Sequence, residues 1–520
     1  MPIESSTGSI SAIRLMKSWL RYCMYNGHSK CLPAQTGTPT RLLFVDESEI
    51  RLIHTSTIAN QPLYFTLSHC WGTIDILKLT RENIDDMQRE IRETELCQTF
   101  RDAINVTRML GFSYIWIDSL CIIQDDVEDW RKEASRMSDV YGGSTLNLAA
   151  SGAQDGSVGL FFDRNEKTMQ RLCRYQITNP SDGKRRDCLD PTIYRTCVEQ
   201  SPLAKRGWAF QERFLSPRTL HFTGLQLYWE CRERMASETY QQRQPPARFN
   251  LSLVRDNMAT LWSDVIHHYS RCKLTREKDK LVALSGVARW LHDRSGDEYV
   301  AGLWRTHIEP QLIWRSDQSA RFVDGRSERT SPSWSWAAVD GAVKMYHRNP
   351  TPGNNFAILS QVVDVNITYE GDDPLGEVNS GKIKLLTVPL IGMKVDSTEP
   401  TDQTRGKAYF LNGEIADFHL NYDFYRPRGL IYCLPVLSHW YHDIYDDIHD
   451  YIQGLVLEKV LSDDSSNVRG IFRRAGCFEA PIYQIEHALK ESTYWASEGV
   501  YGDLAGKDKN GVPQYFLTIV

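Results

Sequence analysis

The chain has 520 residues, a formal net charge of −6, and ordinary fractions of hydrophobic (41%) and charged (24%) residues. This length suggests two to four domains with ample material for a hydrophobic core. The slightly negative charge argues against a large electrostatic surface for nucleic acid. No apolar run approaches the roughly 18 residues of a membrane span.

The N-terminal stretch lacks an apolar segment followed by a small-residue cleavage site, so we predict no signal peptide. Twelve cysteines are scattered without CxxC pairs, which is typical of a cytoplasmic chain with reduced thiols. Cys23, His28 and Cys31 could suggest a metal. Their spacing fits no standard zinc finger and no second pair follows nearby, so we expect a structural role and no metal site.

The first predicted elements are a helix over residues 11–25 and a strand pair over 39–46 and 50–55. Residues 63–69 then predict a buried strand. Thr99 opens a clear helix, with Asp102 as its expected capping-box partner and Gly111 just beyond its C-terminus.

Residues 112–150 predict a strand, a loop, a helix and a second strand. Residues 112–117 form a nearly continuous apolar run, as in a strand buried on both faces of a parallel sheet. Asp126 is the expected N-cap of a helix that runs to about Tyr141, where Gly142 and Gly143 end it. This order of elements is that of an α/β domain with parallel strands and right-handed crossovers.

The predicted helix contains one acid that does not fit its amphipathic pattern. At ~100° per residue, Glu133 falls inside the apolar stripe that runs from Trp130 to Tyr141. A carboxylate on an inward face must find hydrogen-bond partners or lose its charge. Taken alone, the pattern favours a glutamate bonded to Arg136 or to a neighbouring helix end.

Polar residues follow each predicted parallel strand. Ser68 and His69 follow the first strand, Asp118 the second and Ser151 the third. Ligands of open α/β sheets bind beyond the carboxyl ends of the strands. Since Glu133 lies early in its helix, it can face the same edge, and it becomes a site candidate.

Two further interpretations stay open. A polar cluster of Gln211, Glu212 and Arg213 could pack against the α/β unit or serve as a structural ion pair. Cys121, with His69 and Asp118, could be drawn as a thiol triad, although a buried thiol explains Cys121 more simply.

Beyond residue 231 the pattern changes. Residues 232–250 are polar and contain prolines, which favours a linker, and residues 251–314 have helical spacing. Strands at regular intervals then predict a β-sandwich or barrel-like C-terminal domain. The predicted strands cover 357–369, 382–395, 408–420, 430–437, 453–460 and 468–477.

The predicted fold is therefore an α/β N-terminal domain, a helical segment and a mainly β C-terminal domain. The predicted boundaries are 1–60 for the first helix and strand pair, 61–232 for the α/β domain, 233–330 for the helical connection and 331–520 for the β-rich domain.

Several stretches resemble the fungal heterokaryon-incompatibility (HET) domain. They are LYFTLSHCWG (63–72), FRDAINVTRMLGFSYIWIDSLCIIQDD (100–126), DWRKEASRMSDVYGGSTLNLAASGA (129–153) and KRGWAFQERFLSPRTLHF (205–222). The flanks WLRYCMYNGHSKC (19–31), KLTREKDKLVALSGVA (273–288) and PSWSWAAVDG (332–341) fit the same proteins. His69 stands where the family more often has Tyr, and Ile123 where it often has Asn.

The resemblance implies a role in fungal self/non-self recognition, with the HET domain triggering regulated cell death. HET domains are also similar to TIR domains, which are flavodoxin-like modules, and some TIR domains cleave NAD through a glutamate on a helix. The pattern around that glutamate is similar to Trp130-Arg131-Lys132-Glu133 here.

The TIR-like interpretation makes Glu133 the group that holds the ribose and stabilises an oxocarbenium-like transition state, with Asp118 and Ser68 orienting the substrate or the glutamate. NAD would be the substrate, and no cofactor is predicted. The candidate substrate-binding residues are His69, Trp71, Gly72, Ser119, Cys121, Gln124 and Trp130. Self-association through the HET domain and a protein activator are the expected partnerships. The rival hypothesis is a non-enzymatic signalling or oligomerisation module, so enzymatic activity stays an open question.

Overall fold

The computed structural model describes most of the chain, in two compact units. The described residues are 4–26, 28–33, 37–165, 175–178, 183, 185–188, 191–240, 258–316, 331–345, 356–371, 373–395, 408–411, 414–416, 418–423, 427, 429–442, 448–460, 469–490 and 497–520. One unit comprises Met1–Leu253, Cys272–Leu274 and Ala283–Trp290, and the other Val254–Arg271, Thr275–Val282 and Leu291–Val520. The sequence-based boundaries at residues 60, 232 and 330 stay predictions.

The α-helices of the described chain are numbered in order. They are α1 (Ile10–Tyr25), α2 (Ile84–Arg89), α3 (Gln98–Leu110), α4 (Asp118–Cys121), α5 (Val127–Ser135), α6 (Met137–Gly142), α7 (Pro191–Tyr194), α8 (Gly207–Leu215), α9 (Met258–Tyr269), α10 (Val282–Ser295), α11 (Ile308–Gln311) and α12 (Ile482–Lys490). Within the described ranges, no helix has the length and apolar character needed to cross a bilayer.

The β-strands are numbered in the same way. Those of the first unit are β1 (Arg41–Val45), β2 (Ile50–His54), β3 (Phe65–Ser68), β4 (Tyr114–Trp116), β5 (Leu146–Ala149), β6 (Tyr175–Thr178), β7 (Arg185–Cys188), β8 (Arg218–Phe222), β9 (Leu227–Cys231) and β10 (Met235–Ser237). Those of the second unit are β11 (Tyr299–Val300), β12 (Leu303–Trp304), β13 (Arg315–Ser316), β14 (Val343–Lys344), β15 (Phe356–Ile358), β16 (Ser360–Tyr369), β17 (Val378–Thr387), β18 (Ile391–Val395), β19 (Ala408–Phe410), β20 (Ile415–Ala416), β21 (His419–Tyr422), β22 (Gly429–His442), β23 (Ile448–Lys459), β24 (Ile471–Pro481), β25 (Leu504–Lys507) and β26 (Pro513–Ile519).

An eight-stranded sheet forms the centre of the first unit, in the order β10-β9-β8-β5-β3-β4-β1-β2. Strands β4, β3, β5 and β8 are mutually parallel, and the pairs at both sides are antiparallel. The predicted parallel core is therefore present inside a mixed sheet. Because β1 runs antiparallel to β4, its beginning at Arg41 lies at the edge where the parallel strands end.

The helix that was predicted to run from Asp126 to about Tyr141 is interrupted. Asp126 is its N-cap, as predicted, and accepts hydrogen bonds from the backbone N–H groups of Glu128 and Asp129. The helix ends at Ser135, and α6 starts after Arg136, whose ψ of 4° leaves the helical range. The Arg136 guanidinium instead binds the carbonyl of Thr38 at 2.6 Å, a tertiary contact that a local pattern cannot predict.

The caps of α3 match the prediction at one end only. Gly111 adopts φ +89° at the C-cap, as expected for a left-handed residue. The expected capping box is wrong, because Cys97 is the N-cap. Asp102 accepts instead from Gln98 Nε2 at 2.7 Å and from the Leu160 backbone at 2.8 Å.

The second unit is rich in β-structure, as predicted. Twelve described strands join one largely antiparallel sheet, whose main path is β16-β17-β26-β24-β23-β22-β18-β19-β20. Arg474 on β24 is fully buried against Asp423, with Nε 2.6 Å from the carboxylate, and its guanidinium lies over the Trp314 ring. A buried charge of this kind is stable only because it is paired and hydrogen-bonded.

Candidate functional site

The carboxyl end of β3 presents Ser68 and His69. The Ser68 hydroxyl donates to Asn147 Oδ1 of the neighbouring strand at 3.2 Å. The His69 ring is buried between Trp71, with which it stacks at 6.5 Å, and the edge of Phe100 at 5.0 Å. Aromatic packing therefore fixes this ring at the end of the strand.

Asp118, the first residue of α4, follows β4 at the same edge. Its carboxylate accepts hydrogen bonds from Trp71 Nε1 at 2.9 Å and from the Ser119 backbone at 2.7 Å. Its Oδ1 lies 3.7 Å from His69 Nδ1. The side chain is 21% exposed, so Asp118 combines fixed geometry with access to solvent.

Glu212 on α8 is the second carboxyl group near these residues. Its side chain is buried, within hydrogen-bonding reach of the Ser68 and Tyr141 hydroxyls. Burial raises the pKa of Glu212 to about 7, with Asp118 adding to the effect and Arg206 opposing it. The edge therefore holds two carboxyl groups in very different surroundings. This arrangement is typical of acid–base sites.

Two cationic side chains border these residues. Arg206 donates to the backbone carbonyl of His69, and the Lys78 ammonium lies 5.6 Å from the centre of the Trp71 ring. Both are partly exposed. We call Ser68, His69, Trp71, Asp118, Arg206 and Glu212 the rim cluster.

The imidazole of His69 is neutral near physiological pH. Burial lowers its pKa to about 4, against the opposing effect of Asp118. Neither ring nitrogen has a hydrogen-bond partner among the described residues. Since both nitrogens are also buried, His69 acts as a packed neutral ring beside Asp118.

Glu133 lies at the same sheet edge but in a different environment. It is 0% exposed, and its Oε1 accepts from the Thr40 hydroxyl at 2.5 Å. Arg136 Nη1 is 3.9 Å from the same carboxyl group and donates to Thr40 at 2.8 Å. This matches the interpretation of a structural glutamate near Arg136.

A second ion pair, between Arg41 and Asp129, lies next to Glu133 at the sheet edge. Arg41 binds Asp129 at 2.5 Å and donates from Nε to the Cys121 carbonyl at 2.7 Å. We call Thr40, Arg41, Asp129, Glu133 and Arg136 the β1 cluster. Oε2 of Glu133 has no hydrogen-bond partner in the described part of the chain, yet no solvent reaches it.

The remaining predicted substrate-binding residues divide into two groups. Gly72 is exposed next to Trp71, and the Gln124 amide braces the loop by donating to the Asp118 and Ile122 carbonyls. Ser119 and Cys121 are fully buried.

Burial also raises the pKa of the Cys121 thiol to about 12. A thiol with so high a pKa forms little thiolate near neutral pH, which argues against the thiol-triad interpretation.

Trp130 contacts another aromatic ring. It packs edge-on against Trp208 of α8 at 5.9 Å. No hydrogen bond or ring contact in the described residues joins Trp130 to the rim cluster, so its predicted role in binding stays a prediction.

Sequence reasoning did not anticipate a buried network at the ends of β5 and β8. Ser151 Oγ lies 2.9 Å from His221 Nδ1, and His221 Nε2 lies 3.1 Å from Glu230. Glu230 also binds Arg213 at 2.7 Å. Arg213 and His221 hold the pKa of Glu230 well below its usual range although burial opposes them. The network is buried, so it is suited to holding the strands together.

Glu212 and Arg206 are the rim residues that sequence reasoning placed least well. Both belong to the stretch RGWAFQE, in which Gly207 begins α8 and allows its close approach to Leu274. Glu212 was considered only as part of a polar cluster. The sequence signal for Glu212 is its position six residues after Arg206. With this spacing, the acid lies on the inner side of α8 while the arginine lies at the sheet edge.

One of three comparisons with known proteins gave a match. Residues 64–212 match the family model described as heterokaryon incompatibility protein (HET), and this range begins just before β3 and ends at Glu212. The search of curated proteins found no match, and neither did the search of solved structures. The chain therefore carries a heterokaryon-incompatibility (HET) domain over residues 64–212.

Proposed function

We propose that the HET domain triggers regulated cell death in fungal self/non-self recognition, and that it does so by cleaving the N-glycosidic bond of NAD at the rim cluster. The observation that carries the proposal is the meeting of a partly exposed carboxylate, an indole ring and two cationic side chains at one sheet edge. The supporting contacts are those of Asp118, Trp71, Arg206 and Lys78.

The strand order supports a TIR-like, flavodoxin-like sheet. Numbered along the chain, the parallel strands β4-β3-β5-β8 have the order 2-1-3-4, which is that of the first four strands of flavodoxin-like folds. Ligands of such folds bind at the switch point between the first and third strands. These are β3 and β5 here, and Ser68 ends β3.

The proposed reaction requires negative charge beside the ribose. When the bond between C1′ and the nicotinamide nitrogen breaks, both electrons leave with nicotinamide and the ribosyl carbon becomes positive. Asp118 is the carboxylate positioned to stabilise that charge. Water then adds to C1′ and releases a proton. Arg206 and Lys78 would offset the acidic loop and favour the pyrophosphate.

Glu133 has a structural role in this proposal. A fully buried carboxyl group bonded to Thr40 cannot touch a ribose while α5 stays packed. Its catalytic role, which the TIR resemblance implies, is tested by the same experiment.

The experiment measures nicotinamide release from NAD by the purified full chain, dilute and under crowding that forces assembly. We expect Asp118→Asn to reduce release at least about 100-fold, in the range of lost transition-state electrostatics. Glu133→Gln should release nicotinamide as the parent does, provided that its melting temperature matches that of the parent. Asp85→Asn, on the exposed surface of α2, is the control with the same change of charge.

A second candidate function is a non-enzymatic signalling or oligomerisation module, which the complete burial of Glu133 favours. Folded, assembled protein that releases no nicotinamide would reject cleavage and support this module. Loss of release in Glu133→Gln alone, with an unchanged fold, would move the catalytic role from Asp118 back to Glu133.

A further inference from the structure

Four side chains with metal-ligand chemistry meet in the first unit, and none of them belongs to the rim cluster. They are Cys23 on α1, His28 and Cys31 in the segment that follows, and Cys231 at the end of β9. All four are buried, and their ligand atoms lie within 4.8 Å of one another. Three thiols and one imidazole are the Cys₃His set of structural zinc sites.

The spacing of these atoms suits a tetrahedral metal. His28 Nδ1 lies 3.6 Å from Cys231 Sγ. In a tetrahedron with Zn–S of about 2.3 Å and Zn–N of about 2.05 Å, the N···S edge is also about 3.6 Å. Placing His28 against Cys231, 203 residues later in the chain, therefore leaves these two ligand atoms at the separation that one central ion requires, and all four ligand atoms lie within 4.8 Å of one another.

The surroundings favour thiolates. Arg218 is buried and donates from Nε to Cys23 Sγ at 3.1 Å, and it is the cross-strand partner of Cys231. Donors to ligand sulfur and a neighbouring cation are typical outer-shell partners of a thiolate-bound metal.

Two hydrogen bonds hold the ligand-bearing segments together independently of the thiols. The Lys30 backbone donates to Glu233 at 3.0 Å, and Arg232 donates to the Lys30 carbonyl at 3.2 Å. The segment that carries His28 and Cys31 is thus docked on the turn that follows Cys231. Such preorganisation lowers the entropic cost of assembling a metal site.

We propose that Cys23, His28, Cys31 and Cys231 bind one Zn²⁺ in a closed structural site. The ion fixes α1 and the segment after it to the end of β9. This assignment replaces the sequence-based expectation of no metal. That expectation considered only Cys23, His28 and Cys31, because the fourth ligand is distant in the chain.

The test begins with the full chain, purified without chelators from zinc-supplemented cells. We expect about one equivalent of zinc by inductively coupled plasma mass spectrometry. Replacement by Co²⁺ should give a sulfur-to-cobalt charge-transfer band and the intense visible bands of tetrahedral cobalt. Because these spectra report on the ligands directly, they do not depend on any activity of the protein.

Cys31→Ser and Cys231→Ser should each lose the bound zinc and the thiolate–cobalt band. Cys97→Ser is the matched control, since Cys97 is a partly exposed free thiol at the N-cap of α3, where serine is well accepted. It should retain both signals. If a ligand variant fails to fold, the zinc content and cobalt spectrum of the parent protein decide the question.

Two results would overturn the proposal. One is a parent protein that carries no zinc and gives no tetrahedral cobalt spectrum after incubation with Co²⁺ under reducing conditions. The other is a disulfide among Cys23, Cys31 and Cys231, detected by mass spectrometry in freshly purified, alkylated protein.

Discussion

The rim cluster and the β1 cluster lie at the same edge of one sheet, yet they differ in access and in partners. In the β1 cluster, Glu133 is enclosed by Thr40 and Arg136, and Arg41 pairs with Asp129. In the rim cluster, Asp118 is held by Trp71 but stays partly exposed. Glu133 is thus a structural residue because its neighbours enclose it, whereas Asp118 is a site candidate because solvent reaches its side chain.

The largest expected effect separates the two clusters by stability. Glu133→Ala removes the acceptor of the Thr40 hydroxyl and leaves a cavity, so we expect a loss of about 3 kcal/mol in the free energy of unfolding. Asp118→Asn should cost under about 1 kcal/mol, because its side chain is partly solvated. Urea denaturation followed by tryptophan fluorescence measures both. Equal losses in the two variants would contradict the distinction drawn here.

A smaller effect is expected at the turn that positions Trp71. Gly72 has φ +64°, and a Cβ at this position would lie 2.3 Å from Asp155 Cβ. We expect Gly72→Ala to cost about 2 kcal/mol, from left-handed strain plus this contact.

Gly111→Ala is the matched control, since Gly111 also has positive φ but no atom of the described residues lies within 4 Å of an added Cβ. It should cost only about 1 kcal/mol. Thermal melting of both variants isolates the contact, and equal changes in melting temperature would show that Asp155 does not constrain the turn.

The last prediction concerns pH and sharpens the electrostatic part of the comparison. The pKa of Glu212 is raised to about 7. Its contribution to the free energy of unfolding is therefore full at pH values below the pKa of this group in the unfolded chain, and it is lost as the pH rises through about 7. The pKa of His69 is lowered to about 4. Its contribution to the free energy of unfolding is therefore full at pH values above the pKa of this group in the unfolded chain, and it is lost as the pH falls through about 4.

The two contributions oppose each other between about pH 5 and 6.5, where each changes stability by at most about 1.4 kcal/mol per pH unit. Glu212→Gln should therefore make stability rise with pH more steeply than in the parent. Denaturation curves from pH 5 to 7.5 measure the difference, and an unchanged slope would show that Glu212 titrates as it does in the unfolded chain.

Much of the first unit's fold could be predicted because its signals are local. Asp126 caps α5 and Gly111 ends α3 through their own backbone and neighbours. Polar residues at the ends of apolar runs placed Ser68 and Asp118 at one edge, since parallel strands bring their carboxyl ends together. The predicted strand pair over residues 39–46 and 50–55 is confirmed as β1 and β2, but the antiparallel pairing of β1 with β4 has no local signal.

The side-chain environments were decided only by tertiary packing. A helical wheel placed Glu133 on the inner face of its helix. It could not show that Thr40, 93 residues earlier in the chain, would donate a hydrogen bond to Glu133. The same pattern could not show that Glu212 would reach Ser68, or that Cys231 would join His28 and Cys31. The sequence by itself determined which residues face inward, because periodicity is a local property. Only the tertiary structure decided which of them are enclosed, paired or accessible, because those states depend on neighbours that are distant in the chain.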